Sequence, residues 1–261
     1  MKLPVLTLAV AVILPGLAQA QEARDFCADR PGKGSPSCVL DAGRFQAELG
    51  LADASFQRSG PGSSDAYSFG DLELRLGVAA ATEAQLAWTP YSRVKDRASG
   101  DVAKGVGDLT LALRHSLKNP DGSGVSIALQ PFVTAPTASG GQGGGAWQAG
   151  LIAPMSFPLN EDWSLALSPE LDIAADGDGR GHHLTWSGAA GISRGFGPVN
   201  LGVELWASLD DDPAGDVKQA SFDLTAAWTP IDDLQFDIGV YGGLTKDTPD
   251  LEVAVGIARR F

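Results

Sequence analysis

The chain has 261 residues, with 19 Lys and Arg against 32 Asp and Glu and a formal net charge of −13. Such acidity argues against nucleic acid and other phosphate-rich partners, which call for basic surfaces. Beyond the first twenty residues no apolar run reaches the roughly 18 that a spanning helix needs, which excludes a helical membrane protein, while 33 glycines and few lysines suit many strands and turns.

Residues 1–20 read as a secretory signal peptide. Lys2 supplies the positive start, Leu3 to Leu17 is apolar, and Ala18-Gln19-Ala20 is a small-x-small cleavage site. Cys27 stands too far past that site for a lipid anchor. Residues 21–41 then read as a periplasmic N-terminal segment. In DFCADRPGKGSPSC the default for Cys27 and Cys38 in an oxidising compartment is one disulfide, and metal or redox chemistry would need partners that the segment lacks.

From residue 42 onward period-two alternation dominates, and we read twelve strands. Phe45, Ala47, Leu49 and Leu51 oppose Gln46, Glu48 and Gly50. Leu72, Leu74, Leu76 and Val78 oppose Asp71, Glu73, Arg75 and Gly77, and Ala84, Leu86 and Trp88 oppose Glu83, Gln85 and Ala87. Leu109, Leu111 and Leu113 oppose Asp108, Thr110 and Arg114, and Val125, Ile127 and Leu129 oppose Ser126, Ala128 and Gln130. Sixth and seventh come strands around Trp147–Phe157 and Trp163–Ile173, with Glu170 and Asp172 on the polar side. The same pattern gives Leu184–Ser193, Val199–Leu205, Ser221–Trp228 and Leu234–Val240, with Glu204, Asp223 and Asp237 on polar faces. Leu251–Phe261 is the twelfth, with Glu252 on its polar face.

The polar faces decide the class. They carry Gly, Ala, Ser and isolated carboxylates with hardly any Lys, whereas surface strands of soluble proteins are rich in Lys and Glu. Large apolar residues toward lipid and small polar ones toward a lumen are the pattern of a membrane barrel, whose closure leaves no backbone group unpaired. Connections alternate accordingly. Ala79–Thr82, Lys118–Gly124, Leu159–Asp162, Gly195–Pro198 and Thr229–Asp233 are tight. Arg58–Ala66, Arg93–Gly105, Ala135–Gly145, Ala174–Gly181, Asp210–Asp216 and Leu244–Pro249 are mostly longer and more polar, as expected of periplasmic turns and outer loops. Five tryptophans, Trp88, Trp147, Trp163, Trp186 and Trp228, fall on the outward register, as interfacial girdles require, and Trp206 falls inward.

GVGDLTLALRHSL (Gly105 to Leu117) resembles the G-x-G-D-L-x-L segment of the outer-membrane barrel family labelled the putative MetA-pathway of phenol degradation. VLDAGRFQAELGLAD is similar to that family's first strand, and VSIALQPFVTAPTASG to its strand that runs into a Pro-Thr-Gly-type loop. LGVELWASL and the ending VGIARRF also fit. The resemblance spans nearly all of the chain after residue 20 and implies a porin-like transporter barrel; the family label implies hydrophobic or aromatic solutes.

Inward positions carry an acid excess: Glu48, Glu73, Glu83, Asp108, Glu170, Asp172, Glu204, Asp223, Asp237 and Glu252, opposed by Arg44, Arg75, Arg114, Arg194 and Arg260. Two readings stay open. The charges line a conduit whose field favours cationic or neutral solutes, or they form an ion-pair network that plugs a narrow barrel. ADGDGRGHH (Ala175 to His183) has the Asp-Gly alternation of calcium loops but no Glu at the required twelfth position, and reads as a solvated outer loop rather than a metal site. TASGGQGGG reads as a mobile loop. A barrel enzyme of lipase or esterase type would need a nucleophile, a base and an orienting group, and the only bases of that kind are His115, His182 and His183.

The sequence therefore predicts an all-β, antiparallel up-and-down transmembrane barrel of about twelve strands over residues 42–261. We expect a monomer in outer-membrane lipid that passes small solutes, with no cofactor and no nucleic-acid partner. A barrel enzyme and a non-conducting structural or adhesive barrel are the alternatives. Phe261 closes the last strand as the kind of terminal aromatic that barrel assembly machinery recognises.

Overall fold

The computed structural model describes residues 23–58 and 62–261. The expected signal peptide lies outside the described residues. Twelve antiparallel strands form a closed barrel. β1 is Phe45–Gln57. β2 runs through Ser64–Phe69 and Asp71–Ala79, β3 through Thr82–Trp88 and Tyr91–Asp96, and β4 through Val102–Gly105 and Leu109–Lys118. β5 is Ser126–Ala135, β6 is Gln148–Ile152 with Met155–Pro158, β7 is Trp163–Ala175 and β8 is His182–Phe196. β9 is Val199–Asp210, β10 is Val217–Ile231, β11 is Leu234–Gly243 and β12 is Leu251–Arg260.

Each strand pairs with its sequence neighbours, and β1 pairs with β12 from Gln46↔Arg260 to Phe56↔Leu251, which closes the wall. At a rise of about 3.3 Å per residue and a tilt of about 40°, strands of ten to fifteen residues span on the order of 25–38 Å, enough for a hydrocarbon core. The outward register holds the exposed apolar side chains, among them Leu113, Leu205, Phe222 and Leu224. Exposed Trp163 and Trp228 lie near the short-turn end and exposed Trp147 and Trp186 near the long-loop end, two aromatic belts.

The wall differs from the predicted strands toward the long-loop end. Residues 64–66, 93–96 and 102–105, expected in loops, extend β2, β3 and β4. These extensions follow breaks that lie side by side. Gly70 takes a positive φ of 79° in β2, Pro90 cannot donate to the ladder in β3, and Gly107 N–H in β4 turns to Thr89 O at 2.8 Å. The glycine-rich loop, read as mobile, is hydrogen-bonded to β4 beside it. Asp108 accepts Ala138 N–H at 2.8 Å and Gly144 N–H at 2.9 Å, and Ser139 N–H reaches Val106 O at 3.1 Å. Arg194, expected inward, lies on the outward register, over the rings of Trp163 at 5.4 Å and Phe196 at 4.7 Å.

Candidate functional site

Cross-strand register gathers one group of inward side chains near the short-turn end. Glu48 stands opposite Glu73, Arg75 opposite both Gln46 and Gln85, and Glu83 opposite Arg114. Gln46, Glu48, Arg75, Glu83 and Arg114 have 0% exposure. Charges removed from water to this extent must be paired. Arg75 meets Glu48 at 3.0 Å and Glu83 at 2.9 Å, while Arg114 meets Glu83 at 3.2 Å and donates to Gln130 Oε1 at 2.6 Å.

What completes this network does not come from the wall. The N-terminal segment, read as periplasmic, reaches into the bore. Asp29 pairs with Arg75 at 3.1 Å and with Arg114, and Arg75 also donates to Cys27 O at 2.8 Å. Glu48 accepts the N–H groups of Asp29 at 3.0 Å and Arg30 at 3.2 Å, and Glu83 accepts Leu40 N–H at 2.8 Å. Burial raises the pKa of the Asp29 carboxyl, but the Arg114 and Arg75 guanidiniums more than offset it and hold the group below the ordinary aspartate value. Asp29, Glu48 and Glu73 bring three carboxylates within 4.8 Å of one another, the spacing of a metal site; the two guanidiniums already occupy the cation's role.

Cys27 and Cys38 form the disulfide, with Cα atoms 6.6 Å apart, and so close the loop ADRPGKGSPS. That loop crosses the bore. Its tip reaches the far wall, where Lys33 N–H donates to Glu204 Oε1 at 2.8 Å, Gly34 N–H to Glu204 Oε2 at 3.3 Å and Ser35 N–H to Ser168 Oγ at 3.1 Å. Arg30 pairs with Asp237 at 3.2 Å, and Tyr241 Oη donates to Pro31 O. The wall is shaped for it. A Cβ on Gly256 would lie 2.2 Å from Arg30 Nε, and one on Gly77 would lie 2.0 Å from Asp41 O.

The loop divides the lumen. Arg30, Pro31, Pro36 and Ser37 line a vestibule of about 860 Å³ at the short-turn end. Gly32, Lys33, Gly34 and Ser35 line a cavity of about 290 Å³ with Glu73, Phe132 and Glu170.

On the far wall, register sets a belt of neighbouring side chains: Glu204 beside Asp223, Asp223 beside Tyr241, and Tyr241 beside Glu252. Lys33 Nζ lies 3.2 Å from Glu252 Oε2. Thus Glu48, Glu73, Arg75, Glu83 and Arg114 come together at one wall, and Glu204, Asp223, Asp237 and Glu252 at the other. Glu170 faces the smaller cavity, with Asp172 two residues along the same strand. Asp108 belongs to neither cluster, because it caps the glycine-rich loop. Phe261 is exposed, 5.9 Å from the Phe45 ring, and its N–H donates to Phe45 O at 2.7 Å beside the β1–β12 seam.

Asp29, Arg30 and Lys33 did not emerge from sequence reasoning as site residues. For Arg30 and Lys33 the signal was the unbalanced acid on inward positions, which calls for cations that the strands do not supply; nothing in the sequence marked Asp29.

The histidines lie elsewhere. His115 Nδ1 is 2.8 Å from Thr82 Oγ1 at the short-turn end. At the long-loop end His182 Nε2 is 2.7 Å from Trp147 O, and His183 sits between Asp176 at 2.9 Å and Asp210 at 2.6 Å. Nearby, Asp212 is held below the ordinary aspartate range, first by the Ala214 N–H and then by the Gly177 N–H.

The family model described as "Putative MetA-pathway of phenol degradation" matches residues 28–261. The chain belongs to that family. The match begins inside the bore-crossing segment and includes most of it together with the whole wall. Among solved structures, the COG4313 outer membrane channel from Pseudomonas putida F1 is similar at TM-score 0.69 and 17% identity, covering 88% of this chain and 99% of that one. The NanC porin is similar at TM-score 0.53 and 8% identity, over 82% of this chain and 98% of that one. The translocator domain of the autotransporter NalP from Neisseria meningitidis is similar at TM-score 0.52 and 14% identity, over 89% of this chain and 90% of that one. At these identities the likeness is one of fold, and it places the chain among outer-membrane barrels. No curated protein matches the chain.

Proposed function

We propose that this barrel is a channel for small water-soluble solutes across the outer membrane, held narrow by the disulfide-closed loop and biased toward cations. One observation carries the reading: the loop Arg30–Ser37 lines both the vestibule and the inner cavity, so withdrawal of that loop would join them. The lining sets the charged and amide groups of Glu73, Gln85, Gln130 and Glu170 beside apolar Phe132 and Ile152, which suits small solutes that carry charge or hydrogen-bonding groups next to an apolar part. Carboxylates of the belt would raise the local concentration of cations, as charged rings do in other pores. The NanC porin, the KdgM porin and the COG4313 channel, proteins of the same fold, support a conducting role over an adhesive one. We place the short turns in the periplasm and the long loops outside, with one copy per channel.

Planar-bilayer recording in a KCl gradient tests this. The reversal potential should show cation preference, and Glu204→Gln with Asp223→Asn should move it toward zero. An unchanged reversal potential would remove those carboxylates from the mechanism. Absence of current even when the loop is released would remove the channel reading itself.

A further inference from the structure

The ammonium group of Lys33 sits in a cage that the wall builds without it. Its Nζ lies 4.9 Å from the Trp206 ring centre, 4.7 Å from that of Tyr241 and 3.2 Å from Glu252 Oε2. Aromatic faces attract cations through the ring quadrupole, more strongly where water is scarce. Trp206, Tyr241 and Glu252 belong to β9, β11 and β12, and their places follow from strand register. Lys33 is an occupant that the loop delivers.

Asp223 is an independent observation. It has 0% exposure, and among the described residues neither carboxylate oxygen makes a well-formed hydrogen bond, the Ser221 side chain being its polar neighbour. It stands in register between Glu204 and Tyr241. A buried carboxylate left in this state is costly. Lys33 faces Asp53, Glu204, Asp223 and Glu252 here, so the cage stays acidic even while Lys33 fills it.

The chemistry selects the kind of cation. A divalent metal ion requires six or more oxygens at roughly 2.0–2.6 Å, and two ring faces supply none. An alkylammonium uses all of what is present: faces for its charge and its CH groups, and carboxylates for its N–H donors.

We propose that Trp206, Tyr241, Glu252 and Asp223 form a binding site for small organic ammonium solutes, and that Lys33 is a tethered competitor that fills it between solutes. That the site lies on a permeation path rests on the channel reading; that it binds ammonium does not. A solute cation that takes the cage displaces Lys33, and the loop tip loses its salt bridge and both ring contacts at once. Binding and opening are then one event.

The full-length protein, folded in detergent and checked by heat-modifiable migration, is titrated calorimetrically with n-butylammonium chloride, with sodium n-butyrate as the control. Lys33→Met should bind butylammonium about tenfold more tightly than wild type, because an internal competitor lowers apparent affinity by the fraction of time it is absent. Lys33→Ala should do the same and guards against a folding defect peculiar to one variant. Adding Trp206→Leu should abolish the gain, and butyrate should not bind. Equal affinities for wild type and both Lys33 variants, or binding that survives Trp206→Leu with Glu252→Gln, would overturn the cage. In bilayers butylammonium should raise the open probability of wild type and should not raise that of Lys33→Met, whose loop tip is already free. Tight binding with no current from any variant would keep the cage and overturn its place on a path.

Discussion

Replacing Arg75 with Met should release the bore-crossing segment while leaving the barrel folded. Arg75 contacts Asp29, Glu48, Glu83 and Cys27 O, all within 3.1 Å, and has 0% exposure. Removing one partner from a buried ionic network costs about 3–5 kcal/mol, because the remaining charges stay desolvated and unpaired. At about 1.4 kcal/mol per tenfold, the docking equilibrium shifts by between about 10²- and 10⁴-fold. The wall need not bear that cost. Its strands are paired on both sides, and once the segment leaves, Glu48 and Glu83 regain water in an open bore. Single-channel recording should therefore show larger and longer openings from protein that still migrates as a heat-modifiable barrel. Gly256→Leu should give the same opening by another route, since its side chain would stand where Arg30 Nε lies, 2.2 Å from the position of a Cβ. Arg97→Ala is the control, breaking an exposed pair with Asp65 that is worth at most about 1 kcal/mol. Wild-type conductance from both Arg75→Met and Gly256→Leu would refute the argument that this segment limits the bore.

Two further outcomes follow from the same geometry. Reducing the Cys27–Cys38 bond, or replacing both cysteines with serine, should raise open probability, since closing a loop of this length contributes about 2–4 kcal/mol; recordings with and without reductant, with thiols counted, check it, and identical currents would show that the bond does not hold the loop. Exchanging the two charges by Asp29→Lys with Lys33→Asp preserves composition yet should abolish docking. Protease protection of the segment in detergent reads this directly, and full protection would refute the charge-order argument.

Much of the wall was legible in the sequence because lipid imposes a strict rule on alternate residues. Leu72 through Val78, Phe222 through Trp228 and Leu251 through Ile257 carry that rule without interruption. The long-loop ends of β2, β3 and β4 were not legible. Gly70, Pro90 and Gly107 interrupt the alternation, but strand pairing resumes beyond each of them. Inward charges were recognised one strand at a time, and their grouping into two clusters needed the register. The segment 23–41 was the largest gap, because it has no period of its own: its conformation is set by the wall it enters. Local pattern cannot show that Cys27 O belongs to Arg75 or that Lys33 belongs to Trp206.

The two ends of the segment are held very differently, and this difference shapes how such a channel opens. At the root, Asp29 and the backbone of Cys27 and Leu40 engage Arg75, Arg114, Glu48 and Glu83, all of them fully buried. At the tip, the Lys33 and Glu252 side chains each keep 22% exposure, and the other contacts are the Trp206 and Tyr241 ring faces and backbone N–H groups on Glu204 and Ser168. Local opening begins where contacts are few and water can compete. The tip should therefore move long before the root does. Charge order points the same way: the disulfide loop brings its acid, Asp29, to the arginine-rich wall and its bases, Arg30 and Lys33, to the acidic one. Only the second of these meetings is one that a diffusible cation can replace. A solute of the right charge thus works on the weaker end of the loop, and the disulfide-bound root keeps the loop in place to return.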